Sequence, residues 1–381
     1  MIKILTIIIV LIQTVFAQAI WNGSVNTAWY KASQSEFIIS TPEQLAGFAE
    51  LVNDGNNFEG KTVKLSANIL LNDTANWKNW ASVPPANSWI PIGKFISNKK
   101  VHWFLGVFDG NGFAVSGIYI NSSAQNQGLF ERMGYSGTIK NLAATASYIK
   151  GESWVGGIAG RSYGTIINSY FKGTIAGQGG LGGITGLNGG TIRGSYSAGM
   201  VKGTSNVIGG FAGQNGGTIS GSYSAGEVSG ESSAGGFAGL NKGTINNSYS
   251  TASVKGKWKI GGLAGWNWSG NINNSYSTGT VSGESSVGGF VGDNLSGTIN
   301  SSYSIGKTTG KERVGGLVGD YKGTVSNSFY NKETSSQSDE KGMGKTTVQM
   351  KQQYTFTHWD FNKIWNINET KNNGYPYLLG F

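Results

Sequence analysis

The sequence predicts an all-β fold, a parallel β-helix (β-solenoid) in which the chain winds into stacked rungs. Three observations predict it. A glycine-rich phrase returns every 26 or 27 residues, each period holds short apolar segments between glycines, and equivalent positions keep their residue type from one period to the next. A fixed period of this length is typical of stacked repeats, and we expect rungs ~4.8 Å apart, as neighbouring strands are.

The repeated phrase has two glycines, an apolar residue, a small or β-branched residue and a closing glycine. It occurs seven times, starting at Gly156, Gly182, Gly209, Gly235, Gly261, Gly288 and Gly315. The segments around it are too short for helices and rich in Val, Ile, Thr, Tyr and Phe, which favour strands. We expect three strands per period, as in residues 280–282, 287–291 and 298–303. One period cannot bury an apolar face alone, so the fold requires stacking.

Columns of like residues should run along the solenoid. The isoleucine column contains Ile166, Ile192, Ile219, Ile245, Ile272 and Ile299. The serine column contains Ser169, Ser195, Ser222, Ser248, Ser275, Ser302 and Ser328, and the tyrosine column Tyr170, Tyr196, Tyr223, Tyr249, Tyr276 and Tyr303. Strict alternation from Ile166 would bury the tyrosines, whereas a bend at Asn168 would bury the serines. We favour the bend because several copies carry Gly or Asn there, and both residues suit bends.

A loop position supports the same register. It is occupied by Glu231, Lys257, Glu284 and Lys311 in successive periods. Opposite charges one rung apart attract each other, although each exposed pair contributes less than ~1 kcal/mol. The alternation therefore serves as evidence for the stacking and adds little stability.

The N-terminal residues predict export. A basic start at Lys3 precedes the apolar run 4–16, and small residues follow, so we interpret residues 1–19 as a signal peptide cleaved after Ala17 or Ala19. The run is too short for a permanent membrane span, and no other stretch is long enough. The expected location is secreted, extracellular or at the cell surface.

We divide the rest of the chain into three parts: an N-terminal entry region at 20–121, the solenoid at 122–330 and an irregular C-terminal cap at 331–381. Thr41 and Pro42 form a typical helix start, and the apolar residues that follow fall on one face, predicting a short amphipathic helix at 42–52. Such a helix would cover the open end of the solenoid, where unpaired strand edges invite aggregation.

Composition excludes several kinds of chemistry. The chain has no cysteine and two histidines without an H-E-x-x-H motif, so we expect no disulfide, no thiolate chemistry and no catalytic zinc, and we predict no cofactor. The net charge of +9 comes from scattered basic residues. This pattern fits nucleic acid poorly but allows attraction to anionic glycans or cell envelopes.

Two motif matches do not predict catalysis. Residues 55–62 fit the phosphate-loop pattern, but a helix precedes them and a strand follows, which is the reverse of the required order. Glu231 and Glu284 lie two rungs apart, a separation that suits glycoside hydrolysis, but Lys257 lies between them. We therefore interpret these glutamates as a solvated charge ladder.

Aromatic residues are the candidate ligand-binding residues. Trp258, Trp266 and Trp268 lie in one period, and we expect Trp154 in the same loop as Trp258, several rungs away. Tryptophan faces stack on sugar rings, and a repetitive surface suits a repetitive glycan. The alternative is that the indoles cover glycine-rich corners as packing.

The repeats resemble the GLUG motif of bacterial secreted and surface proteins. The resemblance rests on the Gly-Gly-apolar-Ala/Val-Gly and Gly-Thr-Ile phrases, on 40–45, 89–93 and 108–112 before the repeats, and on 359–361 and 373–378 after them. It implies a right-handed β-helix of the kind found in adhesin-like proteins and in the non-catalytic front part of immunoglobulin-cleaving metallopeptidases. It implies no single activity.

Together these observations predict a secreted, non-enzymatic module for adhesion or glycan binding, with an extracellular glycan or a host or neighbouring cell surface as partner. The oligomeric state stays open. An envelope spacer without a specific ligand is the first alternative, and a polysaccharide-degrading β-helix enzyme is the second.

Overall fold

The computed structural model describes residues 19–97 and 100–380. It confirms the predicted fold class, because its parallel strands form a solenoid whose longest unbranched sheet has eleven strands. Residues 1–18 of the predicted signal peptide lie outside the described residues.

Each complete rung crosses four sheets in a constant order. We name the first the Thr-Ile sheet; it comprises Glu36–Ile39, Thr62–Leu65, Val107–Asp109, Thr138–Lys140, Thr165–Ile167, Thr191–Arg193, Thr218–Ser220, Thr244–Asn246, Asn271–Asn273, Thr298–Asn300 and Thr324–Ser326. The second, the Tyr sheet, comprises Ile69–Leu70, Ala114–Ser116, Tyr119–Asn121, Ala143–Lys150, Tyr170–Gly177, Tyr196–Gly203, Tyr223–Ser229, Tyr249–Ser250, Ser253–Lys255, Tyr276–Ser277, Val281–Ser282, Tyr303–Ser304, Thr308–Thr309, Phe329–Asn331 and Met343–Lys345.

The other two sheets lie on either side of the repeated glycine phrase. The Trp258 sheet comprises Ser153–Gly156, Gly179–Gly182, Asn206–Gly209, Ser232–Gly235, Trp258–Gly261, Ser285–Gly288 and Glu312–Gly315. The Asn sheet comprises Phe130–Met133, Ala159–Ser162, Thr185–Asn188, Ala212–Asn215, Ala238–Asn241, Ala264–Asn267, Val291–Asn294 and Val318–Tyr321. The short antiparallel pairs are Lys94–Ser97 with Lys100–His102, and Trp365–Asn366 with Tyr377–Leu378.

The expectation of three strands per period is wrong, because the segment predicted as one strand at 287–291 turns a corner. Gly289 and Phe290 separate its two strands, and Phe290 is fully buried. A Cβ atom at Gly289 would collide with the carbonyl oxygen of Gly316 one rung away. Glycine at position 289 therefore allows two sheets to meet at a corner, because this position has no space for a side chain.

The predicted bend beside the serine column is confirmed. Asn168 has φ 48°, in the left-handed region, and Ser169 behind it is 1% exposed. The backbone N–H of Ser169 donates to Oγ of Ser195 at 3.2 Å, and the Ser195 hydroxyl donates to a carbonyl of its own rung. The same bonds continue down the column, so each buried hydroxyl is satisfied twice.

The interior is continuous and mainly apolar. The predicted isoleucine column lies inside it with every member at 0% exposure, beside corner residues such as Phe211 and Phe237, whose rings stack at 4.5 Å. Full burial of one such side chain contributes about 1.5–3 kcal/mol, so a column repeated in every rung is a large part of the stability.

The N-terminal end is covered as predicted. The helix Pro42–Asn53 begins with a capping box in which the Thr41 side chain accepts from Gln44 N. Phe48 on its inner face contacts the rings of Phe58 and Phe108, which belong to the first turns of the coil. The Thr-Ile and Tyr sheets both extend into the segment predicted as the entry region.

The C-terminal segment extends the Tyr sheet by the strand Met343–Lys345 and then covers one outer face of the solenoid. It contains the helices Lys332–Ser335 and Thr347–Met350 and the 3-10 turns Gln353–Thr355 and Asn372–Gly374; a further 3-10 turn, Trp77–Asn79, lies near the start of the chain. Trp359 and Trp365 of this segment stack at 4.4 Å and pack against Tyr303 of the tyrosine column.

Candidate functional site

Two of the four predicted tryptophans form a stacked pair. The register places Trp266 between Leu240 and Asp293 on the outer surface of the Asn sheet, and Trp268 follows just beyond the strand. The indole rings of Trp266 and Trp268 lie 4.7 Å apart with an interplanar angle of 17°. The glycine corner before Ala264–Asn267 fixes this strand, so the pair rests on rigid backbone.

Lysines contact both rings of the pair. Lys259 Nζ lies 3.7 Å from the ring centre of Trp266, and Lys242 Nζ lies 4.6 Å from that of Trp268. Lys259 Nζ also lies 2.9 Å from a carboxylate oxygen of Asp293, which holds the ammonium in place. Each cation–aromatic contact contributes about 0.5–1 kcal/mol at an exposed site and more when desolvated.

Trp266 supports the pair from beneath. Its ring contacts Lys259 and Trp268, and its indole N–H is buried without a hydrogen-bond partner among the described residues. Trp268, by contrast, is 41% exposed. Trp266 therefore positions the ring of Trp268, which is the one available to a ligand.

Trp258 lies on the neighbouring sheet of the same rung and is 45% exposed. Lys257 Nζ lies 5.4 Å from its ring centre and 2.8 Å from Oε1 of Glu231. The hydrogen bond and the charge of Glu231 raise the pKa of Lys257 above its ordinary value. The pair of Lys311 and Glu284 at 3.9 Å continues this contact, so the predicted alternating loop ladder is confirmed.

Trp154 lies in the segment equivalent to that of Trp258, which is a strand rather than a loop, but it is offset by one residue from Trp258. Strand register places Ser153 in the column of Trp258 and Trp154 in that of Lys259, four rungs away, roughly 19 Å by strand spacing. Trp154 packs under the guanidinium of Arg161, whose carbon lies 5.1 Å from the ring centre. The sequence showed that both residues lie in equivalent segments but did not define their register within the strand.

We name the remaining group the Trp/Lys cluster; it comprises Lys242, Lys257, Trp258, Lys259, Trp266 and Trp268. The two exposed indoles, Trp258 and Trp268, are each contacted by an ammonium group, an arrangement that suits a ligand with an apolar ring face and polar or anionic substituents. The carboxylates closest to the cluster, Glu231 and Asp293, are each engaged by a lysine. Among the residues that the structure describes, no three metal-ligating side chains lie close enough to hold a metal ion.

Sequence reasoning missed a buried ladder of asparagine amides in the Asn sheet. Nδ2 of each member donates to Oδ1 of the next at 2.8–2.9 Å, along Asn188, Asn215, Asn241, Asn267 and Asn294. All five are 0% exposed. The signal was present in the sequence, because an asparagine recurs two positions after the closing glycine of the phrase.

The tyrosine column lies outside the core, and its rings stack in parallel from Tyr170 to Tyr303 with centres 4.5–5.1 Å apart. The C-terminal segment buries one end, where the Tyr303 hydroxyl donates to the carbonyl oxygen of Pro376 and accepts from Nδ2 of Asn372. Burial and adjacent tyrosines raise the pKa of Tyr196 to about 12. Because the rings cover each other, their faces are not free to stack on a sugar.

Comparison with known proteins confirms the predicted resemblance. Residues 258–282 match the family described as the GLUG motif. Halomucin of Haloquadratum walsbyi is 30% identical over 159 residues, which are 40% of this chain and 2% of halomucin. A putative Gly-rich membrane protein of Evansella cellulosilytica is 36% identical over 89 residues, 22% of this chain and 10% of that protein. The chain thus spans a small fraction of either relative.

A solved structure aligns with most of this chain at low sequence identity. The crystal structure of a putative immunoglobulin A1 protease from Bacteroides ovatus aligns with a TM-score of 0.48 and 16% identity, over 90% of this chain and 92% of that one. Within residues 19–97 and 100–380, no helix has the length and apolar character needed to cross a membrane.

Proposed function

We propose that this chain, a carrier of the GLUG motif, is a secreted or surface-exposed, non-enzymatic adhesion module that binds glycans at the Trp/Lys cluster. One observation carries the proposal. Trp258 and Trp268, at 45% and 41% exposure, present large apolar side chains to solvent from neighbouring sheets of one rung. Singly exposed apolar side chains are common, but two indoles exposed in one rung form a group, and grouped apolar surface favours a binding role.

The surroundings of the two rings suit sugars. Indole faces contact the C–H surface of a pyranose ring, and the ammonium groups of Lys242 and Lys257 can donate hydrogen bonds to hydroxyl or carboxylate oxygens beside it. The scaffold is rigid because glycine corners and ladder hydrogen bonds fix it, so binding orders little of the protein. Trp266 acts indirectly by holding Trp268.

The experiment is a glycan array probed with the purified protein and with the variants Trp258→Ala and Trp268→Ala. We expect the wild type to bind a set of glycans and each variant to lose at least about tenfold in affinity, the equivalent of 1.4 kcal/mol. Tyr354→Ala removes an aromatic side chain of 76% exposure elsewhere and is the matched control. Unchanged binding by both tryptophan variants would contradict the proposal.

A spacer role is the second candidate, and the continuous ladders favour it, since they make a stiff rod whatever its surface binds. A wild-type protein that binds nothing on the array would support this role. The proposed lack of catalysis has its own test, because incubation with each bound polysaccharide should leave its chain length unchanged. A shortened product would establish an enzyme instead.

A further inference from the structure

Lysines occur at every second rung along one outer column of the Tyr sheet. Strand register joins Lys150, Ala176, Lys202, Ser229 and Lys255 in that order. Two rungs correspond to about 9.6 Å along the solenoid. The three lysines therefore form a straight row of evenly spaced charges, which we name the lysine row.

The lysine row is available to a ligand. Lys150, Lys202 and Lys255 are all exposed, and within the described part of the chain no ion pair engages any of them. The small side chains of Ala176 and Ser229 leave the surface low between the lysines. An anion can therefore approach each ammonium group from solvent.

A cavity of about 590 Å³ lies between the first two lysines, above Ala176. Tyr148, Gln178 and Thr204 contribute to its walls. These side chains offer a hydroxyl, an amide and an aromatic edge, all of which hydrogen-bond or contact sugar hydroxyl groups. A neighbouring cavity of about 520 Å³ shares Tyr148, Ala176 and Lys202 and extends the surface past Glu227.

Two carboxylates lie beside the row. Oε2 of Glu152 accepts a hydrogen bond from Gln125 at 3.2 Å. Glu227 is exposed and lies on the strand of Ser229, two residues away, so its charge is close to the space between Lys202 and Lys255. The row remains positive overall, and Glu227 should weaken the binding of an anion.

We infer that the lysine row binds a linear acidic polysaccharide that carries one carboxylate per disaccharide. In an extended glycan chain, a disaccharide spans a length similar to two rungs, so successive carboxylates meet successive lysines. Nucleic acid fits less well, since each DNA strand carries a charge every ~3.4 Å. The row lies on a different sheet from the Trp/Lys cluster, so the inference does not depend on the proposed function.

The test measures binding of a hyaluronan decasaccharide, which has one carboxylate per disaccharide, at low ionic strength. The triple variant Lys150→Ala, Lys202→Ala, Lys255→Ala should bind about tenfold more weakly, because three exposed charge contacts that each contribute about twofold multiply together. The control Lys31→Ala, Lys64→Ala, Lys363→Ala removes the same charge from exposed lysines elsewhere and should bind as the wild type does. Circular dichroism verifies that both variants fold.

Two further variants separate spacing from charge. Exchanging positions by Lys202→Ser with Ser229→Lys keeps the net charge but breaks the even spacing, and should weaken binding several-fold. Glu227→Gln should strengthen it. The inference would be overturned if the wild type did not bind hyaluronan or if the two triple variants lost affinity equally. It would also be overturned if single-stranded DNA competed more effectively than hyaluronan at equal charge concentration. Trp258→Ala should bind hyaluronan as the wild type does, because Trp258 lies on a different sheet from the lysine row.

Discussion

The buried asparagine ladder provides a test of how far a repeated polar side chain stabilises the solenoid. Asn241 lies at its centre, accepting from Nδ2 of Asn215 at 2.8 Å and donating to Oδ1 of Asn267 at 2.9 Å. Asn241→Ala removes both hydrogen bonds. It also leaves Oδ1 of Asn267 buried without that donor, whereas Nδ2 of Asn215 keeps the carbonyl oxygen of Thr244 at 3.2 Å.

The cost follows from these contacts. Two hydrogen bonds contribute about 1 kcal/mol each, and a stranded buried acceptor adds about 1–3 kcal/mol, so the free energy of unfolding should fall by about 3–5 kcal/mol. Asn294→Ala, at the end of the ladder, removes the bond from Asn267 and a long bond of 3.4 Å to the carbonyl oxygen of Thr324. It should cost only about 1–2 kcal/mol, because Nδ2 of Asn267 also donates to the carbonyl oxygen of Gly270 and is not stranded. Asn206→Ala, an exposed control, should change stability by about 0.5 kcal/mol or less.

Urea unfolding monitored by tryptophan fluorescence measures these differences. Because repeat arrays unfold partly rung by rung, hydrogen exchange of the strands around Asn241 should accompany it and show faster exchange there in the variant. The reasoning fails if Asn241→Ala is no more destabilising than Asn294→Ala, because the stranded acceptor then costs nothing.

Two further predictions concern the tyrosine column. The pKa values of Tyr196 and Tyr249 are raised to about 12 from an ordinary value of 10, so the stability that their neutral hydroxyls supply is complete below pH 10 and is lost as the pH rises towards 12. Tyrosinate absorbance should therefore show a late-titrating group of residues that merges with the others on unfolding; titration of every tyrosine near pH 10 in the folded protein would contradict this. Tyr303→Phe removes a hydroxyl that is bonded to Pro376 and Asn372, and should lower the free energy of unfolding by about 1–3 kcal/mol and speed proteolysis of the C-terminal segment. Exposed Tyr354→Phe should do neither, and equal behaviour of the two variants would refute the assigned contact.

Much of the fold was predictable because residues within each repeat determine the local strands and bends. The bend at Asn168 and the buried serine beside it required only the known preference of Asn and Gly for left-handed backbone. The number of strands per rung was not predictable in the same way. The corner at Gly289 depends on the neighbouring rung's carbonyl at Gly316, a contact between residues far apart in sequence.

The candidate site was predictable only in composition. The sequence identified tryptophans in one period, but their arrangement depends on which column each side chain occupies. A one-residue offset places Trp154 beside Arg161 and far from the cluster. Lys259, which contacts Trp266, comes from another sheet, and Lys242, which contacts Trp268, comes from another rung. The lysine row was overlooked because its members are 52 or 53 residues apart, twice the repeat.

The stacking of one rung per 26 or 27 residues underlies the ladders, the Trp/Lys cluster and the lysine row alike, and disulfide formation tests it directly. The register pairs Thr218 with Thr244 and Thr244 with Asn271 in adjacent strands, and Cα atoms ~4.8 Å apart are within disulfide range. The chain has no cysteine of its own, so oxidation of Thr218→Cys, Thr244→Cys should give an intramolecular disulfide. Thr218→Cys, Asn271→Cys, two rungs apart, should not. A disulfide in the second variant but not in the first would contradict the register.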